Sequence, residues 1–579
     1  MNFGAIIHRT EDNYCYPLDN DTIQINLKTG YDVEKVNIIY GDPFSAGILG
    51  GNWKWEGKKE EITENIELQY HKLWKIKLKP EYKRLKYYFE LYSKDEKVYF
   101  YEDGFFYENE INTGQCFIKP WLNSIDVKET PNWVNNTIWY QIFPDRFCNG
   151  DKSINAKNVQ EWGSKKPKNE DIYGGDLRGI INKLDYLSDL GINGIYLTPI
   201  FKASSVHKYD TTDYFEIDES FGDKDTFKEL VLKAHEKDIK IMLDGVFNHC
   251  GREFLPWKDV LKNGPKSKYY NWFMVNKWPI DEEKRGTEDK SFYSFAFTSK
   301  MPKLNTNNLE VVEYILSICE YWVKEFDIDG WRLDVANEIS HYLCKEMRKR
   351  LKAIKPDIYI LGEIWHDSIG WLRGDEFDSV MNYPLLNAIN CFWNNKNMTK
   401  KQFEHKINGC YEMYMEQTNK VLFNLLDSHD TDRLIHRVGN EDIFWQQMGI
   451  LFTLSGSVSI FYGTEIALDG AHDPDCRACM PWEKIEDGFY NLKIEKMKQL
   501  ILFRKNIEAF RNNNIKFLNN IQNDRVIQYC KTDDKEKIIV TINASQEELN
   551  IKTENILFSN LLCENILKPN GIIIERMEA

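Results

Sequence analysis

Residues 308–334 read NLEVVEYILSICEYWVKEFDIDGWRLD, and this stretch decides the fold. In 308–326, Leu309, Val312, Ile315, Leu316, Cys319, Trp322, Val323 and Phe326 recur on one face at the 3.6-residue period of an amphipathic helix. In 328–334 an apolar run ends in Arg332 and Asp334. Those two residues are two apart, so both side chains leave the same face of a strand. A helix that feeds directly into a strand with a charged C-terminal end is one unit of a parallel α/β architecture.

Outward from this unit the alternation repeats. Strands are predicted at 137–144, 192–198, 239–244, 328–334, 358–363, 378–382, 421–426 and 458–462, most followed by an amphipathic stretch. Eight such units in one block predict a (β/α)8 TIM barrel. A doubly wound sheet would need a domain break near the middle, and the sequence has none. No clean unit falls between 248 and 305, so this segment is read as a subdomain inserted after strand three, overhanging the C-terminal face of the barrel. Residues 1–120 have another texture: short alternating runs at 22–27, 36–40, 73–78 and 87–91, broken by Gly, Pro and Asp. That pattern predicts an N-terminal β-sandwich. Trp53, Trp55 and Trp74 fall in it and read as core, with a sugar-binding surface as the sharper alternative. The tail, 511–579, returns to short alternating runs and predicts a C-terminal β-sandwich. The layout is therefore 1–120, a catalytic block at 121–510 with its insertion at about 248–305, and 511–579.

Bulk properties narrow the function. The chain has 579 residues, 42% hydrophobic, 28% charged and 14% aromatic, with a net charge of −15. A chain this acidic is poorly suited to a phosphate backbone, which excludes nucleic acid as a partner. No stretch reaches the length of a membrane-spanning helix. Residues 1–10 lack an apolar run followed by a small-residue cleavage site, and the twelve cysteines are scattered through apolar segments, so the expectation is a cytoplasmic protein with reduced thiols. Cys476 and Cys479 form a lone C-x-x-C without the second pair that zinc would need.

The chemistry lies in where the acids fall. Strand three ends in Asp244, with His249 just beyond; strand four in Arg332 and Asp334; strand five in Glu363; strand seven in Asp427, His429 and Asp430. Barrel active sites sit at those C-terminal ends. An Arg two residues before Asp334 is expected to keep it ionised, which suits a nucleophile. Glu363 follows Gly362 on an apolar strand, and a less polar setting suits a proton donor. Two carboxyls in a pocket rich in Trp and Tyr describe a glycosidase; a separation of about 5–5.5 Å would mean retention through a covalent glycosyl-enzyme. One Asp at a strand end is usually a cap and one Arg–Asp pair usually a salt bridge. Four such motifs in order on one rim are a different matter.

These segments resemble the conserved regions of the α-amylase superfamily, glycoside hydrolase family 13, and more narrowly its neopullulanase, cyclomaltodextrinase and maltogenic amylase branch. The marks are Met301-Pro302-Lys303-Leu304-Asn305 in the insertion, the run from Arg332 to Glu338, Gly362-Glu363-Ile364-Trp365-His366, the run from Asp427 to Thr431, and Asp473 with Arg477 ahead of Met480 and Trp482. The likeness implies Asp334 as nucleophile, Glu363 as acid/base and Asp430 as the carboxylate gripping sugar hydroxyls. It implies that Tyr209 stacks under the sugar ring, that His207, His249, Arg332 and His429 bind hydroxyls or orient carboxylates, and that Asp244, Asp473 and Arg477 belong to the substrate site. Trp365 would line the acceptor side, with rim packing as the plainer reading. Asn149, Asp151, Asn155, Gly174 and Asp176 resemble a calcium site, although Asn-Gly-Asp is also an ordinary turn. The branch further implies a homodimer formed through the N-terminal domain, with the Gly-rich segment 42–55 reaching across. Val206, Thr464 and Ala471 depart from the usual pattern (Asn, Asp and Gly); none is one of the three catalytic acids. The expected activity is hydrolysis of α-1,4 bonds in cyclodextrins, maltooligosaccharides, pullulan or starch, with transfer to a sugar acceptor as a side reaction. An α-glucosidase, a glucan transferase, or a glycan-binding protein without catalysis are the alternatives.

Overall fold

The structure is a computed structural model, and it describes residues 1–45, 55–111, 114–281, 284 and 286–577. Two compact units emerge. The first comprises Met1–Glu129 together with Leu372–Gly374 and Asn387–Asn419; the second holds the rest.

In the first unit, one antiparallel sheet runs in the order Cys15–Pro17, Ile23–Thr29, Lys72–Leu78, Glu64–Glu67. The other runs Lys58–Ile62, Lys35–Gly41, Leu85–Tyr92, Lys97–Tyr101, Gly104–Phe106, with Phe117–Lys119 also on Leu85–Tyr92. The expected sandwich is present. Alternate residues Ile23, Ile25 and Leu27 from one sheet meet Val36, Ile38, Phe89 and Leu91 from the other, all fully buried. Each contributes about 1.5–3 kcal/mol on leaving water. Trp55 and Trp74 are core, as read from the sequence; the Trp74 indole donates to Thr29 Oγ1 at 2.9 Å. Trp53 and most of the segment 42–55 lie outside the described residues. The unit extends past residue 120 because later chain packs into it: Asn13 donates to the Glu412 carbonyl, Asn408 to the Glu67 carbonyl, and Arg373 to Asp12.

The second unit holds eight parallel strands: β1 Ile138–Ile142, β2 Gly194–Leu197, β3 Lys240–Gly245, β4 Gly330–Leu333, β5 Tyr359–Gly362, β6 Ser379–Val380, β7 Phe423–Asn424 and β8 Ser457–Phe461. They form one sheet in the order β6-β5-β4-β3-β2-β1-β8-β7, and a parallel bridge from Met381 to Phe423 closes it into a barrel. The helix at Leu309–Phe326 starts where Asn308 caps the Glu310 amide and stops at Asp327, whose φ is 56°. It buries the predicted stripe and also Val311 and Ile318; Leu309, assigned to the stripe, is exposed because it sits in the first turn. Register then places the site: Asp244 pairs with Arg332, and Leu333 with Gly362. The insertion after β3 contains a helix at Leu255–Asn263 and isolated bridges such as Phe273 to Leu304.

The tail is an antiparallel β-domain, as expected, with its strands hydrogen-bonded in one sheet. Among the described residues its strands make one six-stranded antiparallel sheet, in the order Ile515–Phe517, Val526–Thr532, Lys537–Asn543, Ile566–Met577, Leu549–Asn550, with Asn555–Cys563 on Ile566–Met577. The layer against it is helical. In the helix Glu441–Thr453, Gln446 donates to the Asn543 and Gly571 carbonyls and Thr453 bonds the Tyr529 hydroxyl. A helix buries the sheet's apolar face as well as a second sheet would.

Candidate active site

Three strand ends converge on one guanidinium. Arg332, fully buried, donates from Nη1 to both oxygens of Asp244 at 2.9 Å and to Asp334 Oδ1 at 2.9 Å. Its Nη2 lies 2.9 Å from Glu363 Oε2, an ion pair not aligned as a hydrogen bond. Three carboxylates thus share one cation. Burial therefore pushes the Asp334 carboxyl well above the usual carboxylate range, and Glu363, Asp244 and Asp430 push the same way against Arg332. Arg332 acts against this shift, as its place beside Asp334 led one to expect, but its charge is divided among three carboxylates. The surroundings of Glu363 are also more polar than the strand suggested. Its Oε2 accepts from the Val335 amide at 3.0 Å and its Oε1 from the Trp365 indole at 3.0 Å.

A second layer of hydrogen bonds fixes this group. Asp244 Oδ2 accepts from Tyr196 at 2.6 Å and from Tyr209 at 3.0 Å. The Tyr209 hydroxyl also meets His429 Nε2 at 2.6 Å, and the two rings stack with centroids 5.5 Å apart and planes within 3°. His429 Nδ1 lies 2.6 Å from Gln141 Nε2, and its Nε2 is 3.1 Å from Asp430 Oδ2. Arg477 bridges Asp430 and Asp473 at 3.3 and 3.2 Å and donates from Nε to the His429 carbonyl. His207 accepts the Tyr209 amide on Nδ1 and lies beside the Tyr209 ring. His249 stacks on Phe295, with Nε2 4.0 Å from Asp334 and no hydrogen-bond partner; burial pushes it down to about 3. It is a neutral imidazole facing Asp334.

These side chains line a cavity of about 1120 Å³, room for several sugar rings. Asp334, Glu363, Asp430, His207, Tyr209, His249, Trp365, Asp473 and Arg477 all reach it, as does Val206. Asp244, Arg332 and His429 stand behind as support. The insertion supplies Phe295, Thr298, Lys300 and Met301 to its wall. Trp365, 48% exposed, lies flat on Tyr383 with centroids 3.6 Å apart, so it is both a rim residue and a platform beside Glu363. Thr464 donates to both oxygens of Asp427, which also caps the Leu434 amide; Asp427 is an architectural acid.

Sequence reading missed Gln141, Tyr196, Tyr383 and Phe295. For Gln141 the signal was there: on β1 it shares its face with the inward Trp139, a polar residue where the barrel interior asks for an apolar one.

Asn149, Asp151, Asn155, Gly174 and Asp176 do gather. Asn149 Nδ2 is 3.0 Å from Asn155 Oδ1, and a Cβ on Gly174, whose φ is 77°, would come within 2.6 Å of both side chains. Asp176 accepts from the Gly150, Asp151 and Gly179 amides, while Asp151 turns to Ser153. Asn149 Oδ1 is buried without a partner. Among the described residues no three His, Cys, Asp or Glu side chains come together, so an ion here would rest on amide and carbonyl oxygens as much as on carboxylates. That donor set fits a hard cation.

With this geometry in view, the comparisons are consistent. Residues 141–525 match the alpha amylase catalytic domain and residues 1–123 the alpha amylase N-terminal ig-like domain. The chain is 46% identical over 557 residues to a cyclomaltodextrinase of Geobacillus thermopakistaniensis, covering 95% of this chain and 92% of that one. It is 40% identical over 574 residues to an intracellular maltogenic amylase of Bacillus subtilis, covering 97% and 95%. A solved cyclomaltodextrinase structure superposes with a TM-score of 0.88 at 37% identity, covering 100% of this chain and 98% of that one. The chain belongs to the alpha-amylase family of glycoside hydrolases.

Proposed function

We propose that the protein cleaves α-1,4-glucosidic bonds in cyclodextrins and maltooligosaccharides, and in pullulan or starch, with retention of configuration. The observation that carries this is the single guanidinium of Arg332 holding Asp334 and Glu363 at 2.9 Å each, on the wall of a cavity that Asp430 also faces. Asp334, as carboxylate, attacks the anomeric carbon while Glu363 gives its proton to the departing glycosidic oxygen, leaving a glycosyl ester on Asp334. Glu363, now a base, takes a proton from water, which attacks the same carbon and releases Asp334. Asp430, held by Arg477 and His429, grips sugar hydroxyls, and Tyr209 lies under the ring. Any acceptor hydroxyl entering beside Trp365 in place of water gives transfer. Calcium, bound by Asn149, Asp151, Asn155, Gly174 and Asp176, would pin the loop 149–176 and take no part in the chemistry. We further place the protein in the cytoplasm as a homodimer formed through the N-terminal unit; a relative named intracellular supports the first. Among the described residues no helix is long and apolar enough to cross a membrane.

The test is product analysis on β-cyclodextrin, pullulan and soluble starch beside Glu363→Gln. Fastest opening of the cyclodextrin, with Glu363→Gln slower by about 10²–10⁴-fold, is the expected result. Inactivity of the wild type on every α-glucan overturns the proposal, and activity confined to maltose favours an α-glucosidase.

A further inference from the structure

We propose that Gln141 is a positioning residue that fixes His429 as the neutral Nε2–H tautomer, and through it orders Tyr209 and Asp430 around the reacting sugar. The argument is one of hydrogen-bond direction. Gln141 and His429 are each 1% exposed, so neither can turn to water. The Gln141 amide nitrogen, a donor only, points at His429 Nδ1 at 2.6 Å, which must then be the bare acceptor. The other ring nitrogen independently demands a proton, since Nε2 faces a carboxylate oxygen of Asp430 at 3.1 Å and the Tyr209 hydroxyl at 2.6 Å. With Nε2–H donating, the Tyr209 hydroxyl is free to donate to Asp244 Oδ2 at 3.0 Å, and Asp244 in turn holds Arg332. The donors run in one direction from Gln141 through His429 and Tyr209 to Asp244, which accepts from Arg332 on its other side, and that guanidinium holds both catalytic carboxyls. Reversing the first bond reverses the rest: a bare Nε2 would pull the Tyr209 proton off Asp244 and would repel Asp430.

The charged and titratable groups facing His429 from the neighbouring elements are Arg332, Glu363, Asp430, Arg477 and His207, and burial with the two arginines keeps the ring neutral. Among the described residues Gln141 alone reaches the His429 ring from β1.

The inference rests on the α-glucan hydrolase reading, so its test needs a readout that requires no substrate. Ring-¹⁵N-histidine protein gives that readout by NMR, with the His429 signal identified by its loss in His429→Gln. The expected wild-type spectrum shows a neutral ring protonated on Nε2; an Nδ1–H tautomer or an imidazolium overturns the proposal whatever the enzyme does. Gln141→Glu keeps the shape and, when ionised, offers only acceptors to Nδ1. Its ring should become Nδ1–H or charged, and kcat should fall about 10–100-fold with KM changed less than about threefold, the size of other supporting-residue effects. Gln141→Met, neutral and of like volume, should lower kcat in the same sense and keeps the question answerable if the buried Glu prevents folding. Full kcat in folded Gln141→Met, or an unchanged ring in Gln141→Glu at a pH where that Glu is ionised, refutes the role. A wild type with the expected ring but no α-glucan activity would instead sink the functional reading alone.

Discussion

In the proposed mechanism Asp334 is where catalysis and stability oppose each other. Its carboxyl is buried among Glu363, Asp244 and Asp430 with one shared Arg332, and it is held well above its ordinary range. A carboxyl raised in the folded state costs stability once the unfolded chain ionises near pH 4, and the cost grows as pH rises toward the folded value. Asp334→Asn keeps an oxygen for Arg332 and removes the surplus charge. It should abolish turnover yet raise Tm by about 2 °C or more at pH 7, with the gain vanishing near pH 4, as scanning calorimetry would measure. Arg332→Met is the converse: it strands three carboxylates in a buried site and should lower stability by about 3–5 kcal/mol in denaturant titration. Sequence exposed the acids and the arginine by their two-residue spacing on one strand. It did not expose how many carboxylates share that arginine, because sharing depends on register between strands far apart in the chain.

At the scale of the element, strand ends aim the acids and tolerate little. Gly362 precedes Glu363 at the end of β5, and a Cβ there would fall 2.7 Å from the Phe377 ring. Gly362→Ala must therefore shift the strand end and the acid/base with it. A displacement of that order should cost about 10²-fold in kcat while product identity is unchanged, read from initial rates on β-cyclodextrin. The N-terminal sandwich carries a different liability. His8 sits against Tyr14, Tyr87, Phe89 and Phe117 and bonds the Asn26 carbonyl and the Tyr87 hydroxyl, and burial pushes it down to about 4. Above pH 6.5 it costs nothing. As pH falls from 6.5 toward 4 the unfolded chain takes up a proton that the folded module refuses, losing up to about 3 kcal/mol. His8→Gln should flatten this acid loss in thermal melts between pH 7 and 4; a parallel decline in both proteins would contradict it. His8 was invisible in the sequence since nothing local marks a histidine as caged by rings from two strands and a 3-10 turn.

Across the whole molecule, all eight barrel strands and both sheets of the N-terminal module were legible, because buried parallel strands and half-buried sandwich strands write distinct periods. What stayed hidden was partnership between distant segments: Asn387–Asn419 joining the N-terminal unit, and a C-terminal sheet covered by a helix. The loop 149–176 is a third partnership, and it makes a claim on global stability. Its Asn149 oxygen is buried without a partner, beside Asn155 and Gly174, with Asp151 and Asp176 adjoining. A cation bound only by the folded chain stabilises all of the cooperative unit by mass action, about 2.7 kcal/mol at a hundredfold excess over Kd. Calcium should therefore raise Tm in a concentration-dependent way and a chelator should lower it, while magnesium, which demands a stricter octahedron, should do little. Asn149→Ala should remove the calcium response, and in chelator it should lower the melting temperature only by the loss of the Asn149 Nδ2 bonds to Asn155 and Tyr173. If Tm ignores calcium in the wild type, the five residues are a turn and helix cap, and the orphaned oxygen is met by water.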